Sequence, residues 1–243
     1  NGDTGDTTTL GQSDVGNAIT VTASYTDSQG TAETSTSSAT GAVANANDAP
    51  TVTSTAVTAA TEDAVYSYSI TTSDDDGSTL DSWTITATSI SWLTLTDAGD
   101  GTATLTGTPA NGDVGDHSVT VTVSDAASAT GTQTFTITVA NTNDAPTISS
   151  TAVTAATEDA AYTYTVTAAD VDSGDTVTLA GTTVPSWATF TASTGVLAGT
   201  PDNDDVGDHS VVITATDVAG ASATDSFTIT VANTNDAPTI SST

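Results

Sequence analysis

The chain repeats itself, and this limits it to architectures built by stacking copies of one structural unit. Asn45-Ala-Asn-Asp-Ala-Pro50 returns as Asn141-Thr-Asn-Asp-Ala-Pro146 and again as Asn233-Thr-Asn-Asp-Ala-Pro238. Asp48, Asp144 and Asp236 therefore stand 96 and then 92 residues apart. STAVTAATEDA occurs at 54–64 and at 150–160, and DVGDHSV at 113–119 and 205–211; Gly107-Thr-Pro109 matches Gly199-Thr-Pro201. Two complete repeats are read at 50–145 and 146–237. Residues 1–49 read as the C-terminal part of a diverged repeat, because Asp14-Val-Gly-Asn17 stands where the later copies have Asp-Val-Gly-Asp. Residues 238–243 begin another copy. The chain is expected to be a stretch of something longer.

Within each repeat, apolar residues alternate with Thr and Ser at period two, as in Ala64–Ile70, Ser118–Val123 and Thr134–Val139. That spacing puts one side of each segment inward and the other in water. Thr and Val suit half-buried pleated surfaces. Asp76-Gly77, Gly99-Asp100-Gly101 and Asn111-Gly112 punctuate the runs as turns, and no window of useful length has helical periodicity. The fold expected is all-β: tandem immunoglobulin-like sandwiches of roughly 95 residues each in a linear array.

Composition narrows the partners. Lys plus Arg is 0 and Asp plus Glu is 30, a formal net charge of -30. Nucleic acid and anionic membrane surfaces are excluded as electrostatic partners. Disorder is the ordinary consequence of such acidity, but 36% of the residues are hydrophobic and many sit in β-branched alternation. Cys is 0, which removes disulfides and thiol chemistry, and without Lys no lysine isopeptide staple can form. Bound cations are the remaining cross-link. No apolar run is long enough for a membrane helix.

The combination Trp-Leu-Thr-Leu, Gly-Thr-Pro, Asp-Val-Gly-Asp, Val-Thr-Val and Asn-Asp-Ala-Pro resembles the putative-Ig and dystroglycan-type cadherin-like repeats of giant bacterial surface adhesins of the RTX type. The linker Asn-x-Asn-Asp-Ala-Pro resembles the linker between cadherin domains, and Asp170-Val-Asp-Ser-Gly174 the cadherin Asp-x-Asp-Ser-Gly loop. The segment from Val21 to Pro50 is similar to another Ig-like repeat of such proteins. The resemblance implies a secreted or cell-surface bacterial protein with calcium at the inter-domain linkers.

Ca²⁺ takes six to eight oxygen ligands. In a seven-strand sandwich the A–B and E–F loops lie at the exit pole, and the B–C and F–G loops at the entry pole. In 50–145, Glu62 falls in the A–B loop, and Asp113 and Asp116 in the E–F loop. All three are expected beside the linker Asn141, Asn143 and Asp144. From the following repeat, Asp170 and Asp172 in the B–C loop and Asp217 in the F–G loop approach the same linker. The first junction would combine Asp14 and Asn17, the linker Asn45, Asn47 and Asp48, and Asp74, Asp76 and Asp125. The third would combine Glu158, Asp205 and Asp208 with Asn233, Asn235 and Asp236. Asp and Asn also build loops for their own sake; recurrence of the whole set at three linkers favours several Ca²⁺ ions. Asp63, Asp75 and Asp159 are weaker ligand candidates, with plain solvation the alternative, and Asp97, Asp100, Asp202 and Asp204 read as surface turn residues.

His117 and His209 recur in register and read as structural, since one His per repeat makes no zinc site. Trp92 and Trp187 also correspond, with Trp83 extra, and read as core residues, a sugar-stacking platform being the alternative. No nucleophile with a positioned base is apparent, so no enzyme is expected. The expected role is a calcium-rigidified spacer or stalk of an extracellular adhesin whose partners are neighbouring repeats. Two alternatives are a filament protomer, its 1–49 segment completed by strands from another copy, and a carbohydrate- or surface-binding module.

Overall fold

Alternation of Val or Ile with Thr leads directly to paired strands with one dry face. The computed structural model describes residues 7–76, 84–238 and 240; Trp83 lies outside them. The chain divides into two compact units, Asn1–Ala140 and Asn141–Thr243.

The first unit opens with a short 3-10 turn, Gln12–Asp14, and an antiparallel hairpin of β1 (Thr22–Thr26) and β2 (Ala32–Thr36). Isolated bridges Val15↔Val43 and Ala18↔Ala42 hold the flanking chain. The residues of this hairpin are exposed on both faces.

A two-sheet sandwich follows, made of β3 (Thr51–Val52), β4 (Ala59–Thr61), β5 (Tyr66–Ser73), β6 (Thr84–Ala87), β7 (Leu93–Asp97), β8 (Thr102–Gly107), β9 (Gly115–Ser124) and β10 (Thr130–Ala140). One sheet has the order β4-β10-β9-β6 and the other β3-β5-β8-β7. The β4–β10 pair is parallel, Ala59 to Thr61 lying against Thr138 to Ala140. The opening segment thus pairs first with β5 and then crosses to β10 in the opposite sheet. Val119, Val121, Val123 and Ile137 are fully buried on one inner face, opposite Tyr66, Tyr68, Ile70 and Leu105 on the other. The intervening Thr residues face outward, as the period-two pattern requires.

The second unit repeats the plan with β11 (Thr147–Ile148), β12 (Ala155–Thr157), β13 (Tyr162–Thr165), β14 (Ala168–Ala169), β15 (Thr178–Thr183), β16 (Ala188–Thr191), β17 (Val196–Gly199), β18 (Gly207–Thr216) and β19 (Ser222–Ala232). Its sheets are β12-β19-β18-β15, β13-β17-β16 and β11-β14. The strand that is continuous as β5 in the first unit is broken here. Val166 N–H donates to the Gly195 carbonyl at 2.8 Å, and Gly195 has φ +68°, so the chain bends between β13 and β14. Leu197, Ile213, Ala215 and Ile229 are fully buried.

The strand order puts the A–B loop after β4 and β12, the B–C loop after β5 and β14, the E–F loop before β9 and β18, and the F–G loop before β10 and β19. Asp116 and Asp208 correct the loop assignment. Both lie one residue inside a strand, exposed, and accept from Thr138 Oγ1 at 2.7 Å and Thr230 Oγ1 at 2.6 Å. In the DVGD motif, Gly115 and Gly207 already belong to the strands, so the fourth residue is exposed on the sheet, opposite Thr138 or Thr230 of the neighbouring strand. Asp97 is likewise more than a turn residue: its Oδ2 accepts from Ile85 N–H at 2.9 Å and joins the end of β7 to β6.

Candidate metal centre

An Asn side chain in an extended linker offers an N–H donor and a carbonyl acceptor on one amide, and an Asp in a tight loop has two oxygens to place. In the first unit these meet in a fixed pattern. Asn45 Nδ2 donates to Asp76 Oδ1 at 2.7 Å, and Asp48 N–H to Asp76 Oδ2 at 2.7 Å. Asn47 Nδ2 donates to Asp125 Oδ2 at 2.8 Å. Asp74 turns the B–C loop by accepting from Asp76 N–H at 3.0 Å through Oδ1. The other oxygen of Asp74, Oδ2, is buried with no hydrogen-bond partner.

The second unit reproduces each of these contacts. Asn141 Nδ2 donates to Asp172 Oδ1 at 3.0 Å, Asp144 N–H to Asp172 Oδ2 at 2.8 Å, and Asn143 Nδ2 to Asp217 Oδ2 at 2.8 Å. Asp170 Oδ1 accepts from Asp172 N–H at 2.9 Å, and its Oδ2 is again buried and unpartnered. Asp125 and Asp217 are each only 6% exposed. Their pKa values lie below the usual carboxylate range, first because of the linker amides of Asn47 and Asn143, then through the F–G loop N–H groups, which together outweigh burial.

Asp170, Asp172 and Asp175 each bring a carboxylate oxygen within 4.8 Å of the others. Unit negative charges at that separation repel by about 3 kcal/mol per pair at an effective dielectric near 20. Asp175 was not among the expected ligands. Its loop position, five residues after Asp170, is the only sign of it in the sequence, and the first repeat has Thr79 at the corresponding place.

The opposite pole of the second unit holds another such group, Glu158, Asp159 and Asp236, also within 4.8 Å. Glu158 is 2% exposed, and its Oε2 accepts from Thr234 N–H at 3.1 Å. Asp159, only a weaker candidate in the sequence, is brought in because the chain turns there with φ +60°; Asp63 turns likewise, with φ +58°. Asp is one of the few residues that tolerates that conformation. Among the described residues, Asn233 and Asn235 bond to carbonyls of their own linker, Thr234 and Asp236. In the first unit Glu62 is 2% exposed at the equivalent place.

The E–F aspartates serve their own turns. Asp14, Asp113 and Asp205 each accept through Oδ2 from the N–H three residues earlier, at Gly11, Ala110 and Asp202. Asn17 Nδ2 donates to the Ser13 carbonyl. Asp27 also escaped the sequence reading. Asp27 closes the β1–β2 loop by accepting from Gln29 and Thr31 N–H groups, as Asp125 and Asp217 close theirs on Ala129 and Ala221. The match of Tyr25-Thr-Asp27 to Val123-Ser-Asp125 was the available signal.

The donor set is all oxygen: carboxylates, amide carbonyls and main chain. That is the chemistry of Ca²⁺, and the buried, unpartnered Asp74 and Asp170 oxygens fit a cation ligand better than a water-facing loop. The indoles, in contrast, make a poor sugar platform. Trp92 and Trp187 are half-buried, pack against the cores, and meet Tyr66 and Tyr162 edge-on at 5.8 and 5.5 Å. Among the described residues, no helix is long and apolar enough to cross a membrane.

Comparison with known proteins places this architecture. Among solved structures, the chain is similar to the extracellular cadherin domains 1–5 of protocadherin gamma B2, with 19% identity and a TM-score of 0.56, over 90% of this chain and 46% of that one. It is similar also to the protocadherin gamma B4 extracellular domain, with 19% identity and a TM-score of 0.51, over 92% and 40%. These likenesses show a shared fold. An endo-fucoidan hydrolase of glycoside hydrolase family 107 shares 28% identity over 90% of this chain and 34% of that one, at a TM-score of 0.38, too low to bear on chemistry. This chain thus spans less than half the length of each of these proteins. No curated protein matches it. The family model described as "Putative Ig domain" matches residues 49–140 and again 145–232. The chain therefore belongs to the Putative Ig domain family, with two members of it in tandem and a cadherin-like β-sandwich fold.

Proposed function

We propose that the chain is a calcium-rigidified spacer of a long extracellular adhesin or surface fibre, with Ca²⁺ held at the Asn-x-Asn-Asp linkers. One observation carries the reading: the same linker-to-loop hydrogen bonds occur in both units, each leaving a buried Asp oxygen unpartnered. Asn45, Asn47, Asp48, Asp74, Asp76 and Asp125 would hold ions at the first linker. Asn141, Asn143, Asp144, Asp170, Asp172 and Asp217 would do so at the second. Glu158, Asp159 and Asp236 would do so at the third. A bound Ca²⁺ would supply positive charge to a chain that has no Lys or Arg.

Tandem immunoglobulin-like domains support a structural or adhesive role over a catalytic one. The physical effect is linkage: an ion bound only by the ordered linker stabilises that order, by roughly 2.7 kcal/mol per site at 100 times its dissociation constant. Isothermal titration calorimetry and small-angle scattering, in Ca²⁺ and in chelator, test the reading together. Binding of several ions with a longer, stiffer particle is the expected result. An absence of binding, or identical scattering in the two conditions, overturns it.

A further inference from the structure

Beneath the pole that carries the A–B and E–F loops, each sandwich has the same three rings. Tyr162 and Trp187 meet edge to face with centroids 5.5 Å apart, and Trp187 meets His209 at 5.9 Å and 86°. In the first sandwich Tyr66, Trp92 and His117 do the same at 5.8 Å and 5.8 Å. Each imidazole then reaches back four residues. His209 Nε2 lies 2.6 Å from the Asp205 carbonyl oxygen and His117 Nε2 lies 2.7 Å from that of Asp113, so the bonded nitrogen carries the proton and donates.

This bond has a particular place in the E–F loop. Asp205 N–H to the Asp202 carbonyl, Asp204 N–H to Asp202 Oδ1 and Asp202 N–H to Asp205 Oδ2 all close the turn on itself. Two other contacts tie it to the sandwich. Asp159 N–H donates to the Pro201 carbonyl at 2.9 Å at one end, and His209 holds the Asp205 carbonyl at the other. Asp159 belongs to the carboxylate group with Glu158 and Asp236. The ring stack therefore fixes one end of the turn, and the acidic A–B loop fixes the other.

We propose that His117 and His209 are positioning residues for the acidic loops at this pole. Each imidazole, wedged by its Trp, holds the E–F turn in place before a cation arrives, and in the second sandwich that turn holds Asp159 of the carboxylate-bearing A–B loop through the Pro201 carbonyl. A side chain locked by packing that orients a ligand-bearing loop leaves less to be ordered on binding. The proposal rests on the calcium reading above.

The test uses the full chain, calcium calorimetry and thermal melting in calcium and in chelator. His209→Phe keeps a ring against Trp187 and loses the donor, whereas His209→Gln retains an N–H that can reach the same carbonyl. His209→Phe is expected to weaken one class of calcium sites by about tenfold, the usual scale for losing an orienting partner, with His209→Gln restoring most of it. An unchanged affinity in His209→Phe, with equal melting shifts in calcium and chelator, overturns the positioning role and leaves the calcium reading intact. A wild type that binds no calcium overturns both. If His209→Phe does not fold, amide exchange in the wild type decides. Asp205 N–H is expected to be protected in chelator, and free exchange there until calcium is added refutes the proposal.

Discussion

Gly199→Ala tests whether the Gly-Thr-Pro motif is there for room. Gly199 ends β17, the central strand of its sheet, and faces Tyr162 on one side and Ala188 on the other. A Cβ at Gly199 would lie 2.2 Å from the Trp187 carbonyl oxygen and 2.8 Å from Ala188 Cα, where real Cβ contacts essentially never fall below 3.0 Å. At Gly107 the same atom would lie 1.9 Å from the Trp92 carbonyl oxygen. The obstacle is main chain, and neighbours on both sides prevent the strand from sliding away. Overpacking of this kind costs about 1–3 kcal/mol, and we expect the upper end because no side-chain rotamer can relieve it. For a domain near 100 residues, about 3 kcal/mol lowers the melting temperature by roughly 12 °C or more. Differential scanning calorimetry should show that fall in the transition of the second unit for Gly199→Ala, and in that of the first for Gly107→Ala. Gly112→Ala is the control, because nothing lies within 4 Å of its added Cβ. A Gly199→Ala melt within about 2 °C of the parent would show that packing around Trp187 is looser than described.

Three further outcomes are expected. Leu197→Ala empties a fully buried position in the second core and should lower its urea stability by about 2–5 kcal/mol; a smaller loss means the core collapses into the space. Asn143→Ala removes the first cause of the depressed Asp217 pKa. A depressed folded-state pKa gives stability that is present above the unfolded value near 3.9 and lost as pH falls through the folded one. The wild type should therefore lose this contribution only at acidic pH, while Asn143→Ala should start lower at neutral pH and show a shallower acid loss in pH-dependent urea melts; parallel curves refute it. Asp159→Asn suits the same positive φ and removes one charge from the Glu158–Asp159–Asp236 group. It should raise the melting temperature in chelator and reduce the rise produced by calcium. An equal change in both conditions, which leaves the calcium-induced rise unaltered, excludes a cation there.

The strands were legible because Thr-Val alternation has a single structural reading. The loops were legible in part. Asp74, Asp76 and Asp125, and their counterparts Asp170, Asp172 and Asp217, lie in the loops where the sandwich plan puts them; Asp76, Asp125, Asp172 and Asp217 bond to linker asparagines, and Asp74 and Asp170 bond within their own loops. Asp116 and Asp208 were misplaced because a sequence does not show at which residue a loop becomes a strand. Asp159 was undervalued because its grouping depends on a positive φ, a backbone property with only a weak residue signature for Asp. Asp175 has no counterpart in the first repeat, so comparing repeats could not find it. The Trp–His contacts were hidden for another reason: His209 is in β18 and Trp187 is in the turn before β16, which belongs to the other sheet, and the two are 22 residues apart in sequence.

The parallel pairing of the opening strand with the closing one bears on how each sandwich answers a pull. In the second sandwich β12 lies beside the end of β19, with Ala155, Ala156 and Thr157 against Thr230, Val231 and Ala232. Thr230 N–H to the Thr154 carbonyl and Glu158 N–H to the Ala232 carbonyl bracket the pair, at 2.9 and 3.0 Å. Tension on the two ends of the sandwich drags parallel strands in opposite directions along their length. These hydrogen bonds then take the load together in shear and do not open one at a time. Rupture under force follows the unfolding barrier and not the equilibrium stability, so a sandwich of modest thermal stability built this way still resists being drawn out.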